Sequence, residues 1–93
     1  MAKLNMKLFA WVSRGSQRRE IITFVDGRHI PAQIYAEATK RNSKISRNSV
    51  SDVLRSFVKQ KLAVCINPEE SKGRFYKLTP QGELIKKELL KAD

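Results

Sequence analysis

Residues 31–62, PAQIYAEATKRNSKISRNSVSDVLRSFVKQKL, constrain the fold more than any other stretch. They read as two helices joined by a polar turn. In the second, roughly residues 47–60, Val50, Val53, Leu54, Phe57 and Val58 recur at helical spacing and form an apolar stripe. Such a stripe must be covered, so the helix packs on a core. Arg47, Asn48, Ser51, Asp52 and Arg55 fall on its other faces. Short hydrogen-bonding side chains with two arginines suit a helix laid in a DNA major groove, where base edges and phosphates are in reach. A solvated surface helix would carry similar residues, so the rest of the chain has to decide.

The 93 residues allow one domain with a modest core. The net charge of +10 and 41% hydrophobic content together describe a folded basic protein rather than a disordered basic tail. A field of that sign attracts polyanions, either nucleic acid or an acidic membrane surface. No apolar run approaches the ~20 residues of a membrane span. Residues 1–15, MAKLNMKLFAWVSRG, are interrupted by Asn5 and Lys7 and do not form the continuous apolar core of a signal peptide. A single cysteine excludes an internal disulfide and a cysteine-rich zinc site, which suits a cytoplasmic protein.

Leu4, Leu8, Trp11 and Val12 follow i, i+4, i+7, i+8 and predict a short amphipathic helix. Gly15 weakens it, and Ser13 and Ser16 are candidate caps for a second helix over residues 16–25. Arg14, Arg18 and Arg19 cluster at its start, where cations oppose the helix dipole; an external anion would offset that. Asp26-Gly27 breaks the helix, and residues 28–30 are extended ahead of Pro31. Pro31 suits a first helical turn, but Ile30 is a poor cap, so this start must lean on tertiary contacts. Ile34, Tyr35 and Ala38 supply the packing face, and the lone His29 reads as a structural or surface residue.

Residues 40–44 form a basic turn, Ile45 is an apolar plug, and Ser46 is the expected cap of the long helix. From Lys40 to Lys61 there are seven basic residues and one acidic residue, Asp52. Residues 62–67 and 74–79 read as two strands joined by a loop containing Gly73. Thr79 and Pro80 open a last helix with Leu84, Ile85, Leu89 and Leu90 on its apolar side. A two-stranded hairpin is not stable alone, so it must lie on the helices. The expected class is mainly α with a small β-hairpin, a single domain over residues 1–93. Residues 1–15 form a helical extension and residues 79–92 a final helix.

This order is that of a winged helix-turn-helix domain. The segment ISRNSVSDVL, residues 45–54, resembles the recognition helix of MarR- and ArsR-type regulators. NPEESKGRFYKLT, residues 67–79, resembles their wing, with Gly82 matching the glycine that follows Leu-Thr in that group. Residues 14–19, RGSQRR, resemble the start of the first domain helix in small archaeal members. The resemblance implies duplex DNA binding, transcription regulation and a homodimer built through the terminal helices. It places Arg47, Asn48, Ser49, Ser51 and Arg55 on the recognition helix, with Lys72 and Arg74 on the wing. Arg18, Lys40, Arg41, Lys44 and Ser46 would hold the DNA backbone.

Two features depart from that group. The turn over residues 39–44 is longer than its usual tight turn. Asp52 sits on the presumed DNA side, where it would accept from a cytosine amino group or pair with Arg47 or Arg55. Enzyme chemistry lacks its parts: there is no Gly-rich phosphate loop, no Cys/His nucleophile pair and no metal cluster. No cofactor, metal or small-molecule ligand is implied. A protein-interaction module within a larger nucleic-acid machine, and RNA binding through the same basic face, are the alternatives to a DNA-binding regulator.

Overall fold

The described residues form five helices and one hairpin, in the order α1 (Met6–Arg14), α2 (Ser16–Ile22), α3 (Pro31–Ala38), α4 (Arg47–Lys59), β1 (Ala63–Cys65), β2 (Tyr76–Leu78) and α5 (Pro80–Lys91). These elements come from a computed structural model that describes residues 3–91. Met1, Ala2 and Ala92, which the sequence reading assigned to terminal helical segments, lie outside the described residues. No helix among the described residues is long and apolar enough to cross a membrane.

Helix starts and stops differ from expectation where local chemistry offered a second choice. Asn5 caps α1, its side chain accepting from Leu8 N at 3.1 Å. Gly15 both ends α1 and caps α2, so neither Ser13 nor Ser16 serves as the cap; Ser13 Oγ donates instead to the Ala10 carbonyl. Helix α2 stops at Ile22 rather than near residue 25, because the chain must turn to bury Val25 completely. At α3, Gln33 reaches back and accepts from Ile30 N at 2.9 Å, a local substitute for the missing cap. Ser46 caps α4 as expected: its hydroxyl accepts from Ser49 N at 3.0 Å, while Ser49 Oγ accepts from Ser46 N at 2.7 Å.

One buried cluster draws on every helix: Val12, Ile21, Ile34, Leu54, Phe57 and Ile85 are each at most 1% exposed, and Leu62, Ala63 and Leu78 close it from the hairpin side. Truncating a fully buried phenylalanine such as Phe57 typically costs about 3–5 kcal/mol. The stripe on α4 is narrower than expected, since Val53 is half-buried and Val58 is 40% exposed. At ~100° per residue, both sit roughly 70° from the axis of Val50, Leu54 and Phe57, on opposite flanks.

The exit from α4 carries a backbone feature without a sequence signal. Lys61 adopts φ +61°, the left-handed region, and its N–H bonds to the Val58 carbonyl at 3.0 Å. Leu62 N then bonds to the Phe57 carbonyl at 2.8 Å. This pair of bonds closes the helix end in the manner usually given to glycine. The turn drives Leu62, 0% exposed, into the core beside Phe57.

Strands β1 and β2 pair antiparallel, with Ala63 opposite Leu78, Val64 opposite Lys77 and Cys65 opposite Tyr76. Both are shorter than expected, but bonds from Thr79 N to Leu62 O and from Ile66 N to Phe75 O carry the pairing outward on each side. Asp26 adds a bridge to Lys77, and Gly27 N bonds to Tyr76 O at 2.7 Å. The extended segment after α2 is thereby tied to the hairpin. Gly27 sits at φ +80°, a conformation that side chains with a Cβ disfavour.

The Asp26 side chain secures that segment: it accepts from Arg28 N at 2.9 Å and lies 2.9 Å from His29 Nδ1. Partial burial pushes its carboxyl up, but the His29 hydrogen bond, the Arg28 N–H and the His29 charge outweigh it and hold the carboxyl below the ordinary aspartate value. His29 also meets the Phe24 ring edge-on, so it serves the turn.

Helices α1 and α5 pack together within one chain. Asn5 N donates to Gln81 Oε1 at 2.8 Å, and Gln81 Nε2 donates to the Lys3 carbonyl at 2.7 Å. Leu4, Leu8, Trp11 and Leu89 are half-buried against the core, so the two terminal stripes are in large part each other's cover. Met6 at 63% and Leu90 at 51% remain exposed.

Candidate nucleic-acid interface

The polar face of α4 stands opposite its buried stripe. Arg47, Asn48, Ser51, Asp52 and Arg55 are all exposed. Their availability differs. Asp52 Oδ1 accepts from Arg55 Nη2 at 2.8 Å, which makes Arg55 rather than Arg47 the partner of that carboxylate. Arg47 has no hydrogen bond or ion pair from its guanidinium among the described residues; it lies over the ring of Tyr35 on α3, 5.3 Å from the centroid. Asn48 and Ser51 point no side-chain hydrogen bond at the rest of the described chain. The hydroxyls of Ser46 and Ser49 are occupied by the reciprocal cap at the helix start.

The loop between β1 and β2 is built to hold its shape. Asn67 Oδ1 accepts from Phe75 N at 2.8 Å, and Asn67 Nδ2 donates to Gly73 O at 3.2 Å, closing the loop base. Gly73 turns the chain at φ +67°. Arg74 folds back, with Nε donating to Glu70 O and Nη2 to Pro68 O, so it braces the loop as well as carrying charge. Lys72 projects from the tip, exposed.

Arg47 and Ser51 from α4, Ser71, Lys72, Gly73 and Arg74 from the loop, and Tyr76 from β2 line a single groove floored by residues 30–32 at the start of α3. Three cations from two elements far apart in sequence therefore share one concave surface. Ion pairs elsewhere engage most carboxylates, but none from the acidic residues Glu69 and Glu70 reaches these three among the described residues.

The other expected backbone contacts lie apart from this groove. Lys44 is exposed, and its carbonyl receives Gln17 Nε2 at 3.4 Å, which places the turn beside α2. Lys40 pairs with Glu37 at 3.2 Å. Arg41 borders a cleft with Phe9, Arg19, Glu20 and Leu89. Its Nε lies 3.8 Å from Glu20 Oε2, too long for a hydrogen bond, and that oxygen is screened from solvent with no hydrogen-bond partner among the described residues. Arg18 is drawn inward, with Nε donating to Trp11 O at 2.8 Å and its guanidinium 4.6 Å from the Trp11 ring centre. It staples α1 to α2.

Sequence reasoning missed Tyr35, Asn67 and the floor of the groove. Tyr35 read as core because it adjoins Ile34; it is half-buried, one side on the core and one under Arg47. Asn67 had a signal, since an asparagine at a loop base commonly bonds to nearby backbone. No group of three or more His, Cys, Asp or Glu side chains among the described residues is placed to hold a metal ion. Comparison with known proteins finds no matching family model, no matching curated protein and no matching solved structure.

Proposed function

We propose that this protein is a winged helix-turn-helix protein that binds double-stranded DNA sequence-specifically and regulates transcription. One observation carries the reading: Arg47, Lys72 and Arg74 converge on one groove between the exposed face of α4 and the hairpin loop. In this reading α4 is the recognition helix and enters the major groove. The loop is the wing, and the phosphodiester backbone runs between them. Phosphate contacts set register, and base contacts from the first turns of α4 read sequence. Arg47 and Asn48 are the leading readers. The net charge of +10 supplies the non-specific attraction such binding starts from. The chemistry is binding alone, without an enzymatic step or a cofactor.

A homodimer through the terminal helices belongs to the same proposal. It rests on less than the sequence suggested, since α1 and α5 already cover much of each other. What supports it is the outer side of α5, where Pro80, Leu84 and Leu90 flank an open apolar groove rimmed by Lys86 and Lys87.

A second reading, an interaction module in a larger nucleic-acid machine, is favoured by two exposed apolar residues of the hairpin, Val64 on β1 at 41% and Ile66 just beyond it at 50%. Selection of random duplexes by the purified protein at moderate salt separates the two. The DNA reading expects an enriched motif on which Arg47→Ala or Asn48→Ala costs about 1–3 kcal/mol, with a much smaller loss on random duplex. No enriched motif, with affinity unmoved by either substitution, would sink it.

A further inference from the structure

We propose that Tyr35 is a positioning residue that holds Arg47 ready to read guanine. The inference rests on the DNA-binding reading and deepens it. The two exposed arginines of α4 differ in what they touch. Arg55 is tied to Asp52 by a 2.8 Å hydrogen bond from its own helix. Arg47 is the first residue of α4, where the partial positive charge of a helix N-terminus repels a cation. It has no carboxylate partner among the described residues to offset this. What it has is the face of Tyr35, 5.3 Å from ring centroid to guanidinium carbon, within the ~6 Å range of a cation–π contact.

That arrangement suits a base reader. A ring face attracts the guanidinium without consuming its N–H donors, whereas a carboxylate takes them. The five donors of Arg47 stay available while the guanidinium is held over the ring. A planar fork presented at the start of a helix matches the O6 and N7 acceptors of guanine, the commonest specific arginine contact in the major groove. The ring is itself held: Tyr35 packs on the core through α3. Arg47 also borders the groove shared with Lys72 and Arg74, so fixing its side chain fixes a base contact relative to the backbone contacts. Ordering the side chain before binding removes part of the entropy that a free arginine would lose on the base.

The test has one arm without DNA and one with it. In the free protein, NMR should find the Arg47 side-chain protons shifted upfield by the Tyr35 ring. The shift should persist in Tyr35→Phe and vanish in Tyr35→Leu. In competition binding, Arg47→Ala first identifies the base pair it reads, as the one position where discrimination collapses. The ratio of affinities for guanine against adenine at that pair should fall about 2- to 5-fold in Tyr35→Leu and hold in Tyr35→Phe. Absence of a ring-current shift in the unaltered protein overturns the proposal, whatever the leucine variant does to folding. So does a Tyr35→Leu protein that loses affinity equally for both bases, which marks Tyr35 as merely structural. If the unaltered protein selects no duplex, the DNA reading fails, while the ring-current arm still reports on the Tyr35–Arg47 pair.

Discussion

Asp52 and Arg55, one turn apart on α4, form a 2.8 Å hydrogen-bonded ion pair in the middle of the face proposed to meet DNA. Both side chains are more than two-thirds exposed, at 71% and 75%. A pair this open adds little to stability. Its consequence is for binding: the carboxylate occupies a guanidinium that would otherwise face phosphate, and adds a negative charge there. Asp52→Asn should therefore tighten binding to every duplex, and steepen the slope of log K against log salt by about 0.9 for the one phosphate contact it frees. Titrations at several salt concentrations check this. An affinity that falls, and only on the preferred site, would identify Asp52 as a base reader instead.

The basic turn should contribute unevenly. Lys44 has no ion pair among the described residues, whereas Lys40 lies 3.2 Å from Glu37. Lys44→Ala should flatten the salt slope by roughly one unit on specific and random duplex alike. Lys40→Ala should flatten it by less, because Glu37 already neutralises part of the Lys40 charge and leaves less of it to displace phosphate counterions. Equal slopes for both variants would place the turn uniformly against phosphate.

Assembly is best probed at the residues left open. Leu8 and Leu89 pack on the core, so charging them would unfold the chain before it reported on a dimer. Leu90 at 51% exposed is the better position. A symmetric dimer uses the same patch on both subunits, so one substitution acts twice. Light scattering at micromolar concentration should show a dimer that Leu90→Glu converts to a folded monomer. A monomeric unaltered protein that protects a single half-site on DNA would remove the dimer from the proposal.

Gly82→Ala offers a stability test with two opposed effects. Alanine in a helix interior is favoured over glycine by about 1 kcal/mol. Here, however, a Cβ would run into the Leu62 carbonyl oxygen and stand 3.1 Å from Leu78 Cβ. The first contact is with backbone, which cannot turn aside as a side chain can. Overpacking of this kind costs typically 1–3 kcal/mol and occasionally more, so the clash wins and the variant is destabilised. Urea unfolding followed by circular dichroism measures it; a stabilised variant would show that α5 slides freely over the hairpin.

What the sequence determined by itself was short-range. The stripe of Val50, Leu54 and Phe57 repeats within one helix, so its periodicity specifies α4 and its buried side without reference to the rest of the chain. The start at Pro31 and the Ser46 cap depend on neighbours a few residues away and stand where the residues imply, and so does the hairpin with shorter strands, whereas α2 ends at Ile22, short of Asp26-Gly27. The tertiary structure decided the contacts between distant segments. Lys61 takes a left-handed conformation with nothing local to favour it, because that turn buries Leu62 against Phe57. Asp26 joins the hairpin through Lys77, 51 positions further along by number, and no local pattern announces such a bridge. The candidate site divides the same way. That residues 47–55 carry an exposed polar face was legible from helical spacing. Which cations share a groove was not: Arg18 turns onto Trp11, Arg55 onto Asp52, and Arg47 onto Tyr35, while Lys72 and Arg74 come to lie across from Arg47. A cation's partner is set by what packing brings within a few ångströms of it, and charge along the chain carries no record of that distance.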